Sequence, residues 1–415
     1  MKYVIIGNSH AAAGAVEGIR NQDAQGEILL ISKEAHHVYS RPLISYLLQG
    51  KTDLDRMKYR PDDFYEKNSC QTLFGVCADS IDPGSRSVTL DNGNAVSYDK
   101  LLVATGSRPF VPNFPGLDSV PKCFSFMSLS DALALEEALF PEARVLIVGA
   151  GLIGLKCAEG ISSRVGEITV IDLAARVLPS ILDEEGAKMT QALLEQNGIS
   201  FRLGVSAERF EKNRAILTDG TQLDFDLLVL AVGVRPNTGL VAQAGGKCNR
   251  GIIVDKAMQT TLPDVYAAGD CVESYDVSSA QNKMIAIVPT AYSGGFNAGV
   301  AMAGGRSPEP KAVPMNAIGF FGQHIITAGS YEGDFYESRG EGTYKKLFYS
   351  DNLLRGFILI GDVDKAGIYT SLLREKTPLD SIDFDLVCEK PSLVAFSRGY
   401  RDKNLGGKPH EFEKN

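Results

Sequence analysis

A glycine-rich turn between a buried strand and a helix constrains this chain more than any other feature. The stretch ARVLIVGAGLIGLKCAEGI, residues 143–161, places Gly149, Gly151 and Gly154 in the pattern G-x-G-x-x-G. The residues before the turn are apolar, and a helical pattern begins directly after it. The backbone of such a turn approaches a phosphate closely, and the helix N-terminus offers N–H donors and a positive dipole end. The stretch therefore predicts a dinucleotide cradle, to which we assign Gly149, Gly151, Ile153 and Gly154.

The next strand supplies the acidic residue that such a cradle needs. The stretch EITVIDLAARVLP reaches Asp172 at the strand end, 23 residues after Gly149. A carboxylate there accepts hydrogen bonds from ribose hydroxyls and repels a 2′-phosphate, which favours NADH over NADPH. Arg176, four residues further on, could soften that preference. The alternative is that Asp172 only caps a loop.

The N-terminus carries an imperfect copy of the same pattern. In MKYVIIGNSHAAAGAVEGIRNQD a short apolar strand is followed by Gly7, Ser9 and Ala12, so serine stands at the second glycine position. Its small side chain still permits close approach, and its hydroxyl can bond a phosphate oxygen. The partner strand EILLISKE ends near Glu34, to which we assign the ribose. This second cradle comprises Gly7, Ser9, His10, Ala11 and Ala12, and a strand–turn–helix without a ligand is the alternative.

Composition excludes several classes of function. The net charge of −9 over 415 residues argues against general binding of nucleic acid. The seven cysteines are scattered without C-x-x-C spacing, which predicts free thiols and no metal site. No apolar run is long enough to span a bilayer, and no signal-peptide pattern is present, so we expect no membrane association and a cytoplasmic location.

Three further stretches identify a resemblance. Together with the two cradles, the stretches LLVATGSRP, DLLVLAVGVRPN and TTLPDVYAAGDCVE occur in an order that resembles the two-dinucleotide pyridine-nucleotide-disulfide oxidoreductases, over about residues 1–310. The resemblance implies an α/β fold with two Rossmann-like dinucleotide-binding domains, one for FAD and one for NADH, plus a C-terminal α+β domain. It implies that Asp270 bonds a ribityl hydroxyl of FAD and that Gly233 lies near the nicotinamide nucleotide. Further residues implied at the FAD site are Ala78, Ala104, Thr105, Gly106 and Thr290.

A missing cysteine narrows the resemblance to one branch. Disulfide reductases of this superfamily carry a redox-active thiol in the segment HHVYSRPLISYLLQG, where this chain has Arg41 and Pro42. Proline cannot relay electrons to a disulfide as a thiolate does. The segment instead resembles NADH:rubredoxin reductases, nitrite-reductase flavin domains and ferredoxin reductases, in which the arginine contacts FAD. Glu159 is implied near the flavin and nicotinamide, as a half-buried group that shapes the catalytic site; a helix-surface glutamate is the alternative.

The resemblance also divides the chain. We predict an FAD-binding domain in 1–112 and 239–310, an NAD-binding domain in 113–238, and a C-terminal interface domain and tail in 311–415. The segment GGRSPEP, residues 304–310, reads as a linker, and the last residues, 397–415, read as a polar tail. In related proteins the third domain often lies at a dimer interface, so a homodimer is one expectation.

These features predict an FAD-dependent NADH oxidoreductase. It passes electrons from NADH through the flavin to a small redox protein such as rubredoxin or ferredoxin. The alternatives are an NADH oxidase that reduces oxygen, and a flavin-binding subunit that senses NAD. Because small redox carriers are often acidic, a docking surface would be locally basic. Candidates in the sequence are Lys345 with Lys346, and Arg374 with Lys376.

Overall fold

The structure is a computed structural model and describes residues 1–308, 312–399 and 401. Its helices are α1 His10–Gln22, α2 Ile44–Leu48, α3 Phe64–Lys67, α4 Leu129–Ala138, α5 Leu152–Ile161, α6 Glu184–Gln196, α7 Gly239–Gln243, α8 Val288–Met302, α9 Ala366–Glu375 and α10 Phe384–Glu389. Its strands are β1 Lys2–Ile6, β2 Glu27–Ser32, β3 Cys70–Phe74, β4 Ala78–Asp82, β5 Ser87–Leu90, β6 Ala95–Ser97, β7 Lys100–Val103, β8 Ser107–Pro109, β9 Cys123–Phe124, β10 Arg144–Val148, β11 Glu167–Asp172, β12 Ile199–Leu203, β13 Ala207–Glu211, β14 Arg214–Leu217, β15 Gln222–Asp224, β16 Leu227–Leu230, β17 Val234–Pro236, β18 Ile252–Ile253, β19 Val265–Ala267, β20 Val272–Asp276, β21 Gln281–Lys283, β22 Met315–Phe320, β23 Gln323–Gly329, β24 Asp334–Gly340, β25 Thr343–Ser350 and β26 Leu353–Ile360.

The first parallel sheet has the strand order β19-β7-β1-β2-β3. Its strands are short and almost continuously apolar because both faces are covered, as is usual for parallel sheets. The central strand β1 has Val4 and Ile5 completely buried. The turns after β1, β7 and β19 leave the same edge of the sheet, since carboxyl ends of parallel strands coincide. The sheet therefore brings the first glycine turn, the segment 104–106 and Asp270 to one edge.

The two helices α1 and α8, which cover this sheet, lie unusually close to each other. An added Cβ at Gly295 of α8 would overlap the Ala11 carbonyl oxygen, and one at Gly299 would overlap that of Ala15. From the other side, Gly14 and Gly18 of α1 face the backbone of α8 in the same way. The small residues of the sequence let α1 and α8 touch backbone to backbone, which fixes α1 and its N-terminus.

The second parallel sheet has the order β12-β11-β10-β16-β9. Its central strand β10 lies between β11 and β16, so the second glycine turn, Asp172 and the Gly233 turn leave the same edge. A three-stranded antiparallel sheet, β13-β14-β15, packs beside it around Phe210 and Phe225. The antiparallel pair β8–β17 connects the two parallel sheets.

The chain divides into two compact units, Met1–Tyr275 with Asn282–Pro310, and Asp276–Gln281 with Lys311–Asn415. Both parallel sheets belong to the first unit. The second contains the antiparallel sheet β22-β23-β26-β25-β24, on which α9 packs through Tyr369 and Leu372. In this sheet β22 and β23 form a hairpin, and β24 pairs with β25 at the edge.

The predicted fold class is confirmed: two Rossmann-like sheets and an α+β unit are present. The three predicted domain boundaries stay a prediction, and the end of the proposed linker and most of the polar tail lie outside the described residues. Across the part of the chain that the structure describes, no helix is long and apolar enough to cross a membrane. The same residues contain no cluster of three or more side chains able to hold a metal ion.

Candidate active site

The first glycine turn joins β1 to α1, as the sequence predicted. Gly7 has φ +120°, in the left-handed region, and an added Cβ would overlap the carbonyl oxygen of Ala104. Ser9 occupies the N-cap of α1 without capping it through its side chain, so its hydroxyl stays available for another acceptor or donor. Ala11 and Ala12 are buried behind the turn. The N-terminus of a 13-residue helix therefore opens at this edge with its first N–H groups uncapped by Ser9.

His10, a predicted residue of the first cradle, is the first residue of α1. Its side chain is buried, its Nε2 atom has no hydrogen-bond partner among the described residues, and its ring lies edge-on to Tyr59 at 4.3 Å. Burial and the positive charges of Arg41 and Arg60 lower the pKa of His10 to about 4, so the ring is neutral at pH 7. A buried polar atom without a partner is costly, so this atom suits a site whose ligand completes it.

Arg41 contacts two other predicted FAD-site residues, Glu34 and Ser9. Its guanidinium is ion-paired with Glu34, and its Nε atom lies 3.4 Å from the Ser9 hydroxyl. Tyr39 braces the pair by donating to Glu34 at 2.7 Å and accepting from Arg41 at 3.1 Å. Pro42 follows at the start of a short 3₁₀ turn, Arg41–Leu43. Glu34 and Arg41 thus meet at the cradle, and Tyr39, which sequence reasoning missed, orients both.

Asp270 lies at the same edge, after the buried strand β19. Burial raises the pKa of its carboxyl, and the positive charge of Arg41 opposes that shift. No side chain or backbone group among the described residues donates a hydrogen bond to this carboxylate. A half-buried carboxylate with an attractive charge nearby and no donor suits a ligand that carries hydroxyl groups.

The turn after β7 is held by Asn237. The Thr105 hydroxyl donates to the Asn237 carbonyl at 2.9 Å, the Asn237 side chain donates to the Thr105 carbonyl at 2.9 Å, and the Asn237 N–H donates to the Gly106 carbonyl at 2.9 Å. Ala104, Thr105 and Gly106 therefore form a fixed wall beside Gly7. Asn237 lies directly after β17, and the sequence analysis did not predict its role.

The remaining predicted FAD-site residues lie where the sequence placed them in the elements. Ala78 begins the first hairpin strand β4, and Thr290 is in the first turn of α8, directly after Pro289. Neither side chain makes a contact that tests its implied role.

The second glycine turn reproduces the geometry of the first. Gly149 has φ +118°, and an added Cβ would overlap the Ala231 carbonyl oxygen; at Gly154 it would overlap the carbonyl of Gly149. At Gly151, the N-cap of α5, an added Cβ would meet nothing within 4 Å. The first and third glycines are thus required by packing, whereas Gly151 borders open space in front of the helix. Ile153 is half-buried in that first helical turn, and Gly233, with φ +109°, also faces open space.

Asp172 is tied to this turn by its own hydrogen bonds. One carboxylate oxygen accepts the Ala150 N–H at 2.6 Å, and the other accepts the Ala174 N–H at 2.7 Å. The carboxylate thus does cap a loop, which was the alternative interpretation. Each oxygen keeps a further lone pair, so both functions are compatible.

Glu159 is more deeply buried than the sequence predicted. It is 5% exposed rather than half-buried, and it is ion-paired with Lys156 one turn earlier on α5. The Lys156 Nζ atom also lies 4.9 Å from the ring centroid of Tyr46 on α2. The pair therefore sits between the helix of the second cradle and the segment that follows Arg41. Lys156 and Glu159 are spaced i, i+3 in LKCAE, and this spacing could have predicted their ion pair from the sequence.

Comparison with known proteins decides the family. A family model described as pyridine nucleotide-disulphide oxidoreductase matches residues 1–295. The chain belongs to this family. The prediction of the family and of its branch is therefore confirmed, and so is the prediction of an oxidoreductase that uses FAD and NADH.

Individual relatives match over most of the chain. It is 32% identical over 391 residues to the epsilon subunit of an NADH-dependent phenylglyoxylate dehydrogenase from Aromatoleum evansii, covering 91% of this chain and 92% of that one. It is 33% identical to an assimilatory nitrate reductase electron transfer subunit of Bacillus subtilis, covering 90% of this chain but only 49% of that protein. The crystal structure of a ferredoxin reductase from Rhodopseudomonas palustris has a TM-score of 0.85 at 25% identity and covers 95% of this chain and 99% of that one.

The residues of this oxidoreductase fit the two dinucleotides. At the first edge, the unpartnered His10 Nε2, the Ser9 hydroxyl that does not cap its helix and the Asp270 carboxylate without a donor are groups that a phosphate- and hydroxyl-bearing cofactor would satisfy. At the second edge, open space lies in front of Gly151, and a Cβ added at this residue would partly fill the space that the second dinucleotide needs. The roles of the individual residues remain proposals.

The ribose assignment of Asp172 leads to a first prediction. We expect Asp172→Arg to raise the ratio of kcat/KM for NADPH to that for NADH by about a hundredfold. A carboxylate that repels a 2′-phosphate is then replaced by a group that pairs with it, at about 1.4 kcal/mol per tenfold. Steady-state kinetics with both nucleotides measures the ratio. Asp172→Asn is the matched control, since an amide can still accept from Ala150, and it should give a smaller shift. Unchanged selectivity in both variants would remove Asp172 from the ribose site.

Proposed function

We propose that this oxidoreductase transfers electrons from NADH, through bound FAD, to a small electron-carrier protein. The proposal rests on one observation. A single compact unit contains two dinucleotide cradles, and the segment between them that carries the redox thiol in disulfide reductases has no cysteine in this chain. Bound FAD supplies the chemistry, because it accepts a hydride from NADH and releases electrons one at a time.

The residues of the chain hold and orient the cofactors. On this proposal, the N-terminus of α1, Ser9 and His10 contact the FAD pyrophosphate, while Glu34, Arg41 and Asp270 bind its ribose and ribityl groups. The N-terminus of α5 and Asp172 hold NADH. The buried pair of Lys156 and Glu159 keeps α5 in place against α2 through Tyr46. We also propose that the domain boundaries lie at residues 112, 238 and 310.

The positions of the cysteines support electron transfer to the acceptor without a redox-active thiol. All seven are free, and none lies in the segment 36–50 that carries the redox thiol in disulfide reductases. Burial raises the pKa of Cys271, which is adjacent to Asp270, to about 11, and it also raises that of Cys157 in α5. These thiols are protonated and enclosed at neutral pH, which makes them poor nucleophiles.

The names of the relatives support a protein acceptor of one of two kinds. One relative is a ferredoxin reductase, which favours a freely diffusing ferredoxin or rubredoxin. Two others are named as subunits, one of them an electron transfer subunit, which favours a dedicated partner chain. We propose a freely diffusing carrier first, a cytoplasmic location for the pair, and a homodimer formed by this chain, which sedimentation would measure.

One stopped-flow experiment separates the candidate functions. The purified protein should show the absorbance bands of oxidised flavin, and NADH should bleach them within milliseconds to seconds. We expect slow reoxidation by air and fast reoxidation by rubredoxin or ferredoxin. Fast reoxidation by oxygen would instead identify an NADH oxidase. A slowly formed, long-lived charge-transfer band would identify an NAD sensor, and a colourless protein that FAD cannot reconstitute would refute the proposal.

A further inference from the structure

The antiparallel pair β8–β17 places two arginines directly opposite each other. Arg108 and Arg235 are register partners in this pair, and both are exposed. Like charges that face each other across a strand pair destabilise it. Neither arginine is ion-paired with an acidic side chain within residues 1–308, 312–399 and 401. The fold therefore keeps two positive charges opposite each other, and no acidic side chain of the described residues neutralises them.

A third arginine completes a continuous basic surface. Arg250 and Asn249 line the same groove as Arg108 and Arg235, together with Phe110 and Val111. We call this set the arginine surface. The Arg250 side chain is exposed and has no ion-pair partner in the described parts of the chain; the nearby Glu273 carboxylate is engaged by the backbone N–H groups of Arg250 and Gly251. Three unpaired arginines stand out in a chain whose net charge is −9.

The arginine surface has the composition of a protein interface. The Arg235 guanidinium stacks over the Phe110 ring, 4.1 Å from its centroid, and Val111 is 54% exposed. Arginine and aromatic residues are enriched where proteins bind each other, and lysine and glutamate are depleted. Positive charge around an exposed apolar centre fits an acidic protein face with a small apolar contact.

The arginine surface is joined to the candidate flavin site through one residue. The Arg108 Nη1 atom donates to the Asn237 side-chain oxygen at 3.0 Å. The Asn237 side-chain nitrogen in turn donates to the Thr105 carbonyl at 2.9 Å. Thr105 belongs to the turn that we assign to FAD. A protein docked on the arginine surface is thus one side chain away from that turn.

We propose that the arginine surface is where an acidic electron-carrier protein docks to receive electrons. This inference rests on the proposed function and adds the place and the charge of the acceptor. It also replaces one of the two docking sites suggested by the sequence, Lys345 with Lys346. Lys345 donates to the Glu389 carbonyl at 3.1 Å, and Lys346 is ion-paired with Glu337 at 3.2 Å, so both are already engaged within the second unit.

The experiment reverses charges on the holoprotein. Arg108→Glu, Arg235→Glu and Arg250→Glu are made singly and in pairs, and each is assayed for reduction of an acidic rubredoxin over a range of salt. Arg374→Glu, at the other basic cluster suggested by the sequence, is the matched control. The same proteins are assayed with menadione, a small neutral acceptor, and by stopped-flow reduction with NADH.

We expect each reversal on the arginine surface to lower kcat/KM for rubredoxin about tenfold at low salt, and the pairs more, because attraction becomes repulsion. The salt dependence should flatten, and Arg374→Glu should match the wild type. Reduction by NADH and turnover with menadione should not change in Arg235→Glu and Arg250→Glu, whose side chains do not contact Asn237.

Two results would overturn the inference. Wild-type kinetics with rubredoxin in all variants would show that the carrier docks elsewhere. A raised KM for NADH, with menadione as acceptor, would show that the arginines bind the nucleotide instead. Failure of the proposed function has a different signature, since the wild-type flavin would then be reduced by NADH but would give electrons to no acidic carrier.

Discussion

Asp270→Leu is expected to yield a protein that has lost most of its FAD. The Asp270 carboxylate has no donor among the described residues; burial raises the pKa of this carboxyl, and the positive charge of Arg41 opposes that shift. If it accepts a hydrogen bond from the ribityl chain, leucine removes a charged hydrogen bond of about 1.5–3 kcal/mol. The dissociation constant of FAD should rise about ten- to a hundredfold. The ratio of flavin to protein absorbance after gel filtration measures the loss, and titration of the stripped protein with FAD measures the affinity.

Two controls separate this effect from damage to the fold. Asp270→Asn keeps the shape and one acceptor oxygen, so it should retain FAD better than leucine does. Asp264→Asn changes a carboxylate at the opposite end of β19, one that is ion-paired with Lys100 and Arg86 rather than facing the cradle. It should leave the FAD content unchanged even if the melting temperature falls. A fully loaded Asp270→Leu protein would contradict the assignment.

The sequence predicted those parts of the site whose cause is local. Gly7 and Gly149 could be identified because a positive φ and a close carbonyl demand glycine in any strand–turn–helix of this kind. Asp172 could be identified because parallel strands end at one edge, so its distance along the chain translates into position. The family, the fold class and the cofactors followed from these local signals and are confirmed.

The parts that the sequence did not predict depend on contacts between distant segments. Asn237 holds the 104–106 turn from more than a hundred residues away, and only the pairing of β8 with β17 brings the two together. The same pairing creates the opposition of Arg108 and Arg235, which looks unremarkable in either strand alone. The burial of Glu159 was underestimated because its partner Lys156 neutralises a charge that would otherwise face solvent.

The second large effect is expected at Gly151, and it distinguishes a binding role from a folding role. In Gly151→Ala the new Cβ meets no atom within 4 Å, and the backbone lies in a region that any residue adopts, with φ −83°. The stability should therefore change by less than about 0.5 kcal/mol. The methyl group nevertheless lies where the backbone must approach a pyrophosphate, so KM for NADH should rise roughly tenfold while FAD stays bound.

Gly149→Ala should behave differently, although it lies in the same turn. Its φ of +118° and the overlap with Ala231 impose strain of about 1–3 kcal/mol or more, so both stability and NADH binding should fall. Gly239→Ala, another position with nothing within 4 Å, serves as the neutral control for a methyl group added at a helix start. Thermal unfolding and NADH kinetics on the three variants test the assignment together. If Gly151→Ala bound NADH as tightly as Gly239→Ala does, the open space before α5 would not be the nucleotide cradle, because a methyl group there would obstruct the phosphates.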